Sequence, residues 1–154
     1  MKLNRRAGIL MAVLAGCGTV SFAYQKVDLS GIKPRNKQEQ TVQVEFISPE
    51  ELKAKIARNE PLAIVDLRSQ ASYEQSDQTI RGSFHTKVRK VASRLRAEPR
   101  DKEVVTYCAC PSDEAAIIAA RSLLTNGFQR VRVLKGGWNA WLQTGGQMQP
   151  RPKP

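Results

Sequence analysis

The chain has 154 residues, of which 41% are hydrophobic and 25% charged, with a formal net charge of +11. That is material for one compact domain of about 100 residues with flanking segments, and too little for a second core. The basic excess is scattered and comes without zinc-finger spacing or an aromatic RNA-binding motif, so nucleic acid is not the expected partner.

At the N-terminus Lys2, Arg5 and Arg6 precede an apolar stretch, residues 7–16, the layout of a secretory signal whose charged end stays in the cytoplasm. The stretch ends Leu14-Ala15-Gly16-Cys17, which resembles the bacterial lipoprotein lipobox, where small residues before an obligatory cysteine allow lipidation and cleavage. On this reading residues 1–16 are a signal peptide and Cys17 becomes a lipidated N-terminus on the periplasmic side of a bacterial membrane. Gly18 is not the aspartate that favours retention at the inner membrane, which leaves the outer membrane open as the destination. The rival reading is an N-terminal transmembrane anchor. No charge occurs between Arg6 and Lys26, a span just long enough for a hydrocarbon core of about 30 Å, although Gly16, Gly18, Thr19 and Ser21 interrupt it. Residues 17–45 read as a tether, polar from 26 to 44, with Gly31, Pro34 and four basic residues and little hydrophobic periodicity.

From residue 46 to 147 strand and helix patterns alternate. Ser48-Pro49-Glu50-Glu51 is an N-cap, a proline at the first helical position and an acid at N3, and Leu52 and Ile56 follow at helical spacing. Leu62-Ala63-Ile64-Val65 is a continuous apolar run, the form of a strand buried on both faces, and it ends at Asp66. A short helix is expected over residues 70–76 and a longer basic one over 88–97, with Val88, Val91 and Leu95 inward. Residues 104–108 read as the next buried strand. The best-marked helix covers 113–125: Ser112 can cap it, Asp113 and Glu114 suit its positive end, Ile117, Ile118, Leu123 and Leu124 give it an apolar side, and Asn126-Gly127 stops it. Val131-Arg132-Val133-Leu134 is a final strand, and Gly136-Gly137 turns into a helix carrying Trp138, Trp141 and Leu142. Residues 148–154 read as a disordered tail.

Repeated β-then-α units imply a parallel sheet covered by helices, with functional groups beyond the carboxyl ends of the strands, where Asp66 and Cys108 both fall. Cys108 lies at a strand-to-helix loop, where the unpaired N–H groups and partial positive charge of a helix start favour a thiolate. A buried structural cysteine at the end of a core strand is the equally weighted alternative.

The segments Ser48-Pro49-Glu50-Glu51-Leu52, Val65-Asp66-Leu67-Arg68, Tyr73-Glu74, Ile80-Arg81-Gly82-Ser83, Val104-Val105-Thr106-Tyr107-Cys108, Gly127-Phe128 and Val133-Leu134-Lys135-Gly136-Gly137-Trp138-Asn139-Ala140-Trp141 resemble, in order and spacing, the rhodanese-like sulfurtransferase domain. The resemblance implies a small α/β domain with a five-stranded parallel sheet and helices on both faces. It also implies that Cys108 takes a sulfane sulfur from a small donor as a persulfide and yields it to a thiol or other nucleophilic acceptor. The loop Ala109, Cys110, Pro111, Ser112, Asp113 and Glu114 would surround the sulfur with main-chain N–H groups, and no metal or cofactor is required. Asp66 and Arg68 would support that loop, with a simple strand-end tie as the plainer role, and Arg81 would contact an anionic substrate or stand as a surface charge. His85, the sole histidine, has no ligand set near it, and Trp138 and Trp141 read as core packing.

The family often places a glycine three residues and an arginine five residues after the cysteine, whereas this chain has Pro111 and Asp113. Pro111 lacks an N–H donor, and negative charge at Asp113 and Glu114 would raise the thiol pKa and repel thiosulfate. The Cys-x-Cys-Pro form is similar to a variant within the group. Its second thiol, Cys110, could attack a persulfide on Cys108, release sulfide and leave a disulfide, although a Cys-x-Cys ring is tight. The function classes are therefore a sulfur carrier through Cys108, a thiol-disulfide redox protein using Cys108 and Cys110, and a catalytically silent binding module. No sequence feature names a protein partner; the membrane is engaged through lipid or anchor.

Overall fold

The computed structural model describes residues 42–152. The signal-like segment, Cys17, the alternative anchor and the tether as far as residue 41 lie outside the described residues, as do Lys153 and Pro154. In chain order the elements are β1 (Glu45–Ile47), α1 (Pro49–Ala57), β2 (Leu62–Asp66), α2 (Gln70–Glu74), β3 (Gln78–Ile80), β4 (Ser83–His85), α3 (Val91–Arg94), β5 (Glu103–Tyr107), α4 (Glu114–Thr125), β6 (Val131–Leu134), α5 (Gly137–Gln143) and β7 (Met148–Pro150). Among these helices none is long and apolar enough to cross a membrane.

The two continuous apolar runs become β2 and β5, two of the three inner strands of the sheet. β2 and β5 pair in parallel from Leu62 with Glu103 to Asp66 with Tyr107, and the five-stranded parallel sheet runs β1-β6-β5-β2-β4. Side-chain alternation then sorts the core into two layers. Ala63, Val65, Val104, Val131 and Val133 face α3 and α4, while Ile64, Val105, Tyr107 and Leu134 face α1 and α5 with Leu52, Ile56, Trp138 and Trp141. Thr106 is buried on the first face, and its hydroxyl donates to the Ala116 carbonyl at 3.1 Å, so the polar atom is satisfied inside the core. Ser48 caps α1 as its position dictates, accepting from the Glu51 N–H at 3.1 Å.

Four expectations need correction. The basic helix over 88–97 is a 3-10 turn, Val88–Lys90, followed by the single turn of α3, and Val88 is only partly buried. With no side-chain cap at its start, this segment does not extend to the expected length. Ser112 does not cap α4: Asp113 takes that place in the left-handed region, φ 54°, and its side chain bonds elsewhere. The inward face of α4 is Ala116, Ala119, Ala120 and Leu123, and Ile118 is 48% exposed. The alanine row lets the helix backbone settle close on the sheet, a demand of packing that large apolar residues do not signal. Leu142, on the outer side of α5, is 52% exposed, while Trp138 and Trp141 of the same helix are core residues as expected. Finally, residues 148–150 are not disordered but form β7, antiparallel to β3, with Ile80 opposite Met148. The Arg151 N–H and Nε donate to the carbonyls of Asp77 and Ser76, which gives this polar strand the main-chain partners that composition cannot reveal.

At the amino ends of the strands an ion network gathers around Glu103, which is buried and receives Arg132, Arg130 at 3.0 Å and Lys55 at 3.2 Å. Arg132 also reaches Glu51 at 2.6 Å and Lys55 reaches Glu60 at 2.7 Å. Burial pushes the Glu103 carboxyl up, but hydrogen bonds from Arg132 and Lys55 outweigh it and hold the group below its ordinary range.

Candidate active site

Cys108 follows β5, the central strand, at the carboxyl end of the sheet. Alternation along β5 sends its side chain to the face covered by α3 and α4, opposite Tyr107. The residue is only 2% exposed, yet it lines a depression of about 360 Å³ together with Leu67, Ser69, Ser72, Ala109, Cys110 and Ala115. No charged side chain belongs to that lining. Cys108 and Cys110 are joined by a disulfide, their Cα atoms 5.7 Å apart.

The loop is fixed by main-chain bonds on both sides. The Trp138 N–H donates to the Cys108 carbonyl at 2.8 Å, and the Asp113 N–H donates to the Cys110 carbonyl at 3.2 Å. Gly137, at φ +50°, passes so close that a Cβ there would run into the Cys108 carbonyl oxygen. Glycine is therefore required for the approach. Asp113 makes the second tie: its Oδ2 accepts from the Gly136 N–H at 2.8 Å, so the carboxylate is turned into the β6–α5 connection. Among the described residues, the N–H groups of Ala109, Cys110, Ser112 and Glu114 have no protein acceptor. Pro111 and Ser112 are exposed, as is Glu114 at the first turn of α4.

Asp66 and Arg68 form a buried pair on the other face of the sheet. Arg68 Nη2 lies 2.7 Å from Asp66 Oδ2, and the same oxygen accepts from the Tyr107 hydroxyl at 2.7 Å. Asp66 Oδ1 takes the Arg68 main-chain N–H at 3.0 Å. The guanidinium stacks 4.0 Å from the Trp138 ring and 5.2 Å from Tyr73, and Tyr73 in turn stacks on His85. His85 Nε2 lies 2.9 Å from the Arg68 carbonyl oxygen. Burial and the nearby Asp66 charge push the Tyr107 phenol well above its ordinary value, so it stays a donor. This cluster meets the cysteine loop from behind, through Tyr107 in sequence and through the Trp138 N–H.

Of the residues singled out from sequence, the structure brings Cys108, Ala109 and Cys110 to one depression and puts Asp66 and Arg68 beneath it. Arg81 is elsewhere: it is exposed, bonds Gln147 Oε1 at 2.5 Å, and lines a separate depression with Ile56, Asn59 and Leu62. Sequence reading missed Leu67, Ser69 and Ser72 as lining, Tyr107 as a donor to Asp66 beside Arg68, and Trp138 as the plate under Arg68. Alternation from Cys108 would have separated Tyr107 onto the Asp66 face, and Gly136-Gly137 after a strand was a signal of close approach.

A disulfide-linked cysteine pair at the carboxyl edge of a parallel sheet, in a depression without charged lining, points to cysteine-based group chemistry in a small α/β domain. The Rhodanese-like domain family matches residues 48–144, and the chain belongs to that family. A sulfurtransferase of Allochromatium vinosum is 30% identical over 102 residues, covering 66% of this chain and 92% of that protein. The crystal structure of the Alr3790 protein from Anabaena sp. matches with a TM-score of 0.60 at 27% identity, over 68% of this chain and 82% of that one. The thiosulfate sulfurtransferase of Pseudomonas aeruginosa has a TM-score of 0.58 at 19% identity, over 70% of this chain and 20% of that one, a likeness of fold alone. Sulfur transfer is the reaction class this membership supports, with a sulfur donor and an acceptor as its substrates.

Proposed function

We propose that this chain carries sulfane sulfur as a persulfide on Cys108, in a domain anchored on the periplasmic side of a bacterial membrane. The observation that carries the reading is the placement of Cys108 at the end of the central strand, lining a depression, in a loop whose amides at Ala109, Cys110, Ser112 and Glu114 lack protein acceptors. Such amides stabilise a thiolate or a persulfide anion without a dedicated base. The donor's outer sulfur is attacked by the Cys108 thiolate, its sulfur–sulfur bond breaks, and the remainder leaves as a thiolate or sulfite.

A second reading, a thiol-disulfide redox protein, is favoured by the Cys108–Cys110 bond. Mass measurement separates the two. A reduced chain that gains about 32 Da from a persulfide donor, one sulfur atom, and loses that gain in Cys108→Ser carries sulfur. A chain that takes up none but exchanges its disulfide with dithiols is a redox protein, and one that does neither is a binding module. The anchor rests on Lys2, Arg5, Arg6 and the Leu14-Ala15-Gly16-Cys17 segment. Metabolic labelling with a fatty acid that is lost in Cys17→Ser supports lipidation, whereas membrane retention without label supports the transmembrane alternative.

A further inference from the structure

The loop places two sulfurs within bonding reach while every main-chain tie that fixes it is in place. The Cys108 carbonyl is held by the Trp138 N–H and the Cys110 carbonyl by the Asp113 N–H, both with the disulfide closed. Cys110 therefore reaches Cys108 Sγ in the anchored loop. In a persulfide, Sγ of Cys108 is the inner sulfur and keeps the same covalent attachment, so the atom that Cys110 touches in this structure is the one whose attack expels the outer sulfur. Attack on the outer sulfur would only move it from one cysteine to the other.

We propose that Cys110 is the resolving nucleophile for a Cys108 persulfide, so that the site ends its cycle by releasing sulfide and closing the Cys108–Cys110 disulfide, which an external dithiol then reopens. The inference rests on the persulfide reading. The steps balance. The Cys108 thiolate first takes the sulfane sulfur of an organic persulfide, and the donor leaves as a thiolate. The Cys110 thiolate then attacks Cys108 Sγ, the sulfur–sulfur bond to the outer atom breaks, and that atom departs as hydrosulfide with the electron pair. Two electrons have passed from the thiol pair to the sulfane sulfur. A dithiol reductant returns them by thiol–disulfide exchange and becomes a disulfide itself.

The geometry favours attack on the inner sulfur by Cys110 over attack there by an external thiol. Cys108 is 2% exposed, so an external nucleophile approaches its inner sulfur poorly, whereas Cys110 is already beside it. A tethered thiol also acts at an effective concentration of about millimolar or far higher, which outruns dilute acceptors. The depression both cysteines line has no cation, which suits an organic persulfide better than a dianionic donor.

The test uses the full chain in detergent with Cys17→Ser, so that Cys108 and Cys110 are its two thiols. After reduction and removal of reductant, it receives one equivalent of cysteine persulfide, and sulfide and protein mass are followed through a single turnover. The expected result is one sulfide per chain without added thiol, and loss of both alkylatable thiols. In Cys110→Ser and Cys110→Ala the chain is expected to hold the gain of about 32 Da, and its sulfide release to slow at least about 100-fold. Sulfide release at the parent rate from these variants overturns the proposal and leaves the persulfide reading standing. Failure of both the parent and the Cys110 variants to take up sulfur overturns both.

Discussion

Replacing Gly137 by alanine tests how tightly the cysteine loop is bound to the rest of the fold. The new Cβ sits at φ +50°, runs into the Cys108 carbonyl oxygen and lies 3.1 Å from Asp113 Oδ1. The left-handed conformation alone costs about 1–2 kcal/mol for alanine, offset by about 0.4–1 kcal/mol from the less flexible unfolded chain. Displacing the Cys108 carbonyl also breaks its bond from the Trp138 N–H, and an orphaned buried donor costs about 1–3 kcal/mol. The sum is a loss of about 2–4 kcal/mol, which lowers Tm by about 10 °C or more in a domain of this size. Gly82→Ala is the control. Its φ is +80° but nothing lies within 4 Å of the added Cβ, so only the backbone effect of about 1 kcal/mol remains. Urea and thermal unfolding followed by far-UV circular dichroism measure both variants. Sulfur uptake should fall in Gly137→Ala and persist in Gly82→Ala. Equal midpoints for the two would refute the close approach of Gly137 to the loop.

Tyr107→Phe removes one donor from the buried Asp66 carboxylate and is expected to cost about 1–3 kcal/mol by urea unfolding. Because the folded phenol is raised above its ordinary 10.0, it contributes stability present below that pH and lost as pH rises toward the folded value. The variant should therefore show a flatter alkaline decline than the parent. Glu103 is held below its ordinary 4.5, so its contribution is present above that pH and lost as pH falls through the folded value. Glu103→Gln is expected to flatten the acid limb of the stability profile while sulfur uptake at neutral pH stays unchanged. On α4, Ile118→Gln should stay within about 0.5 kcal/mol of the parent. Ala119→Leu should cost about 1–3 kcal/mol by overpacking against the sheet.

The parts legible in sequence were those where a single local rule decides the outcome. Ala63 to Val65 and Val104 to Tyr107 are buried on both sides, so composition alone marks them as inner parallel strands. Ser48 and Pro49 specify a helix start by chemistry contained within four residues. Apart from the uncapped 88–97 segment, the misses were non-local. β1, β3, β4 and β7 are three residues each, too short to show a period, and are defined by their partners. The orientation of α4 follows from the alanine row that the sheet accepts, not from its larger side chains. At the site, Cys108 was marked by its place between strand and helix, but the destination of Asp113 was not. Its carboxylate is oriented by the Gly136 N–H, a group 23 residues along the chain, and no spacing rule reaches that far.

The arrangement also separates two kinds of charge by the length of a strand. At the amino ends, Glu103 binds cations that keep contact with water. At the carboxyl ends, the Asp66–Arg68 pair has no exposed side-chain surface and is closed by Tyr107 and two aromatic rings. Burying such a pair is costly to assemble and more costly to break, which makes it a poor source of net stability and a good fixed support. It also lies on the opposite sheet face from the thiols. The cysteine loop thus gains a rigid backing without a guanidinium in its depression, and the sulfur pair is left among uncharged side chains and main-chain dipoles. In that setting, discrimination among donors falls to size and polarity rather than to ion pairing.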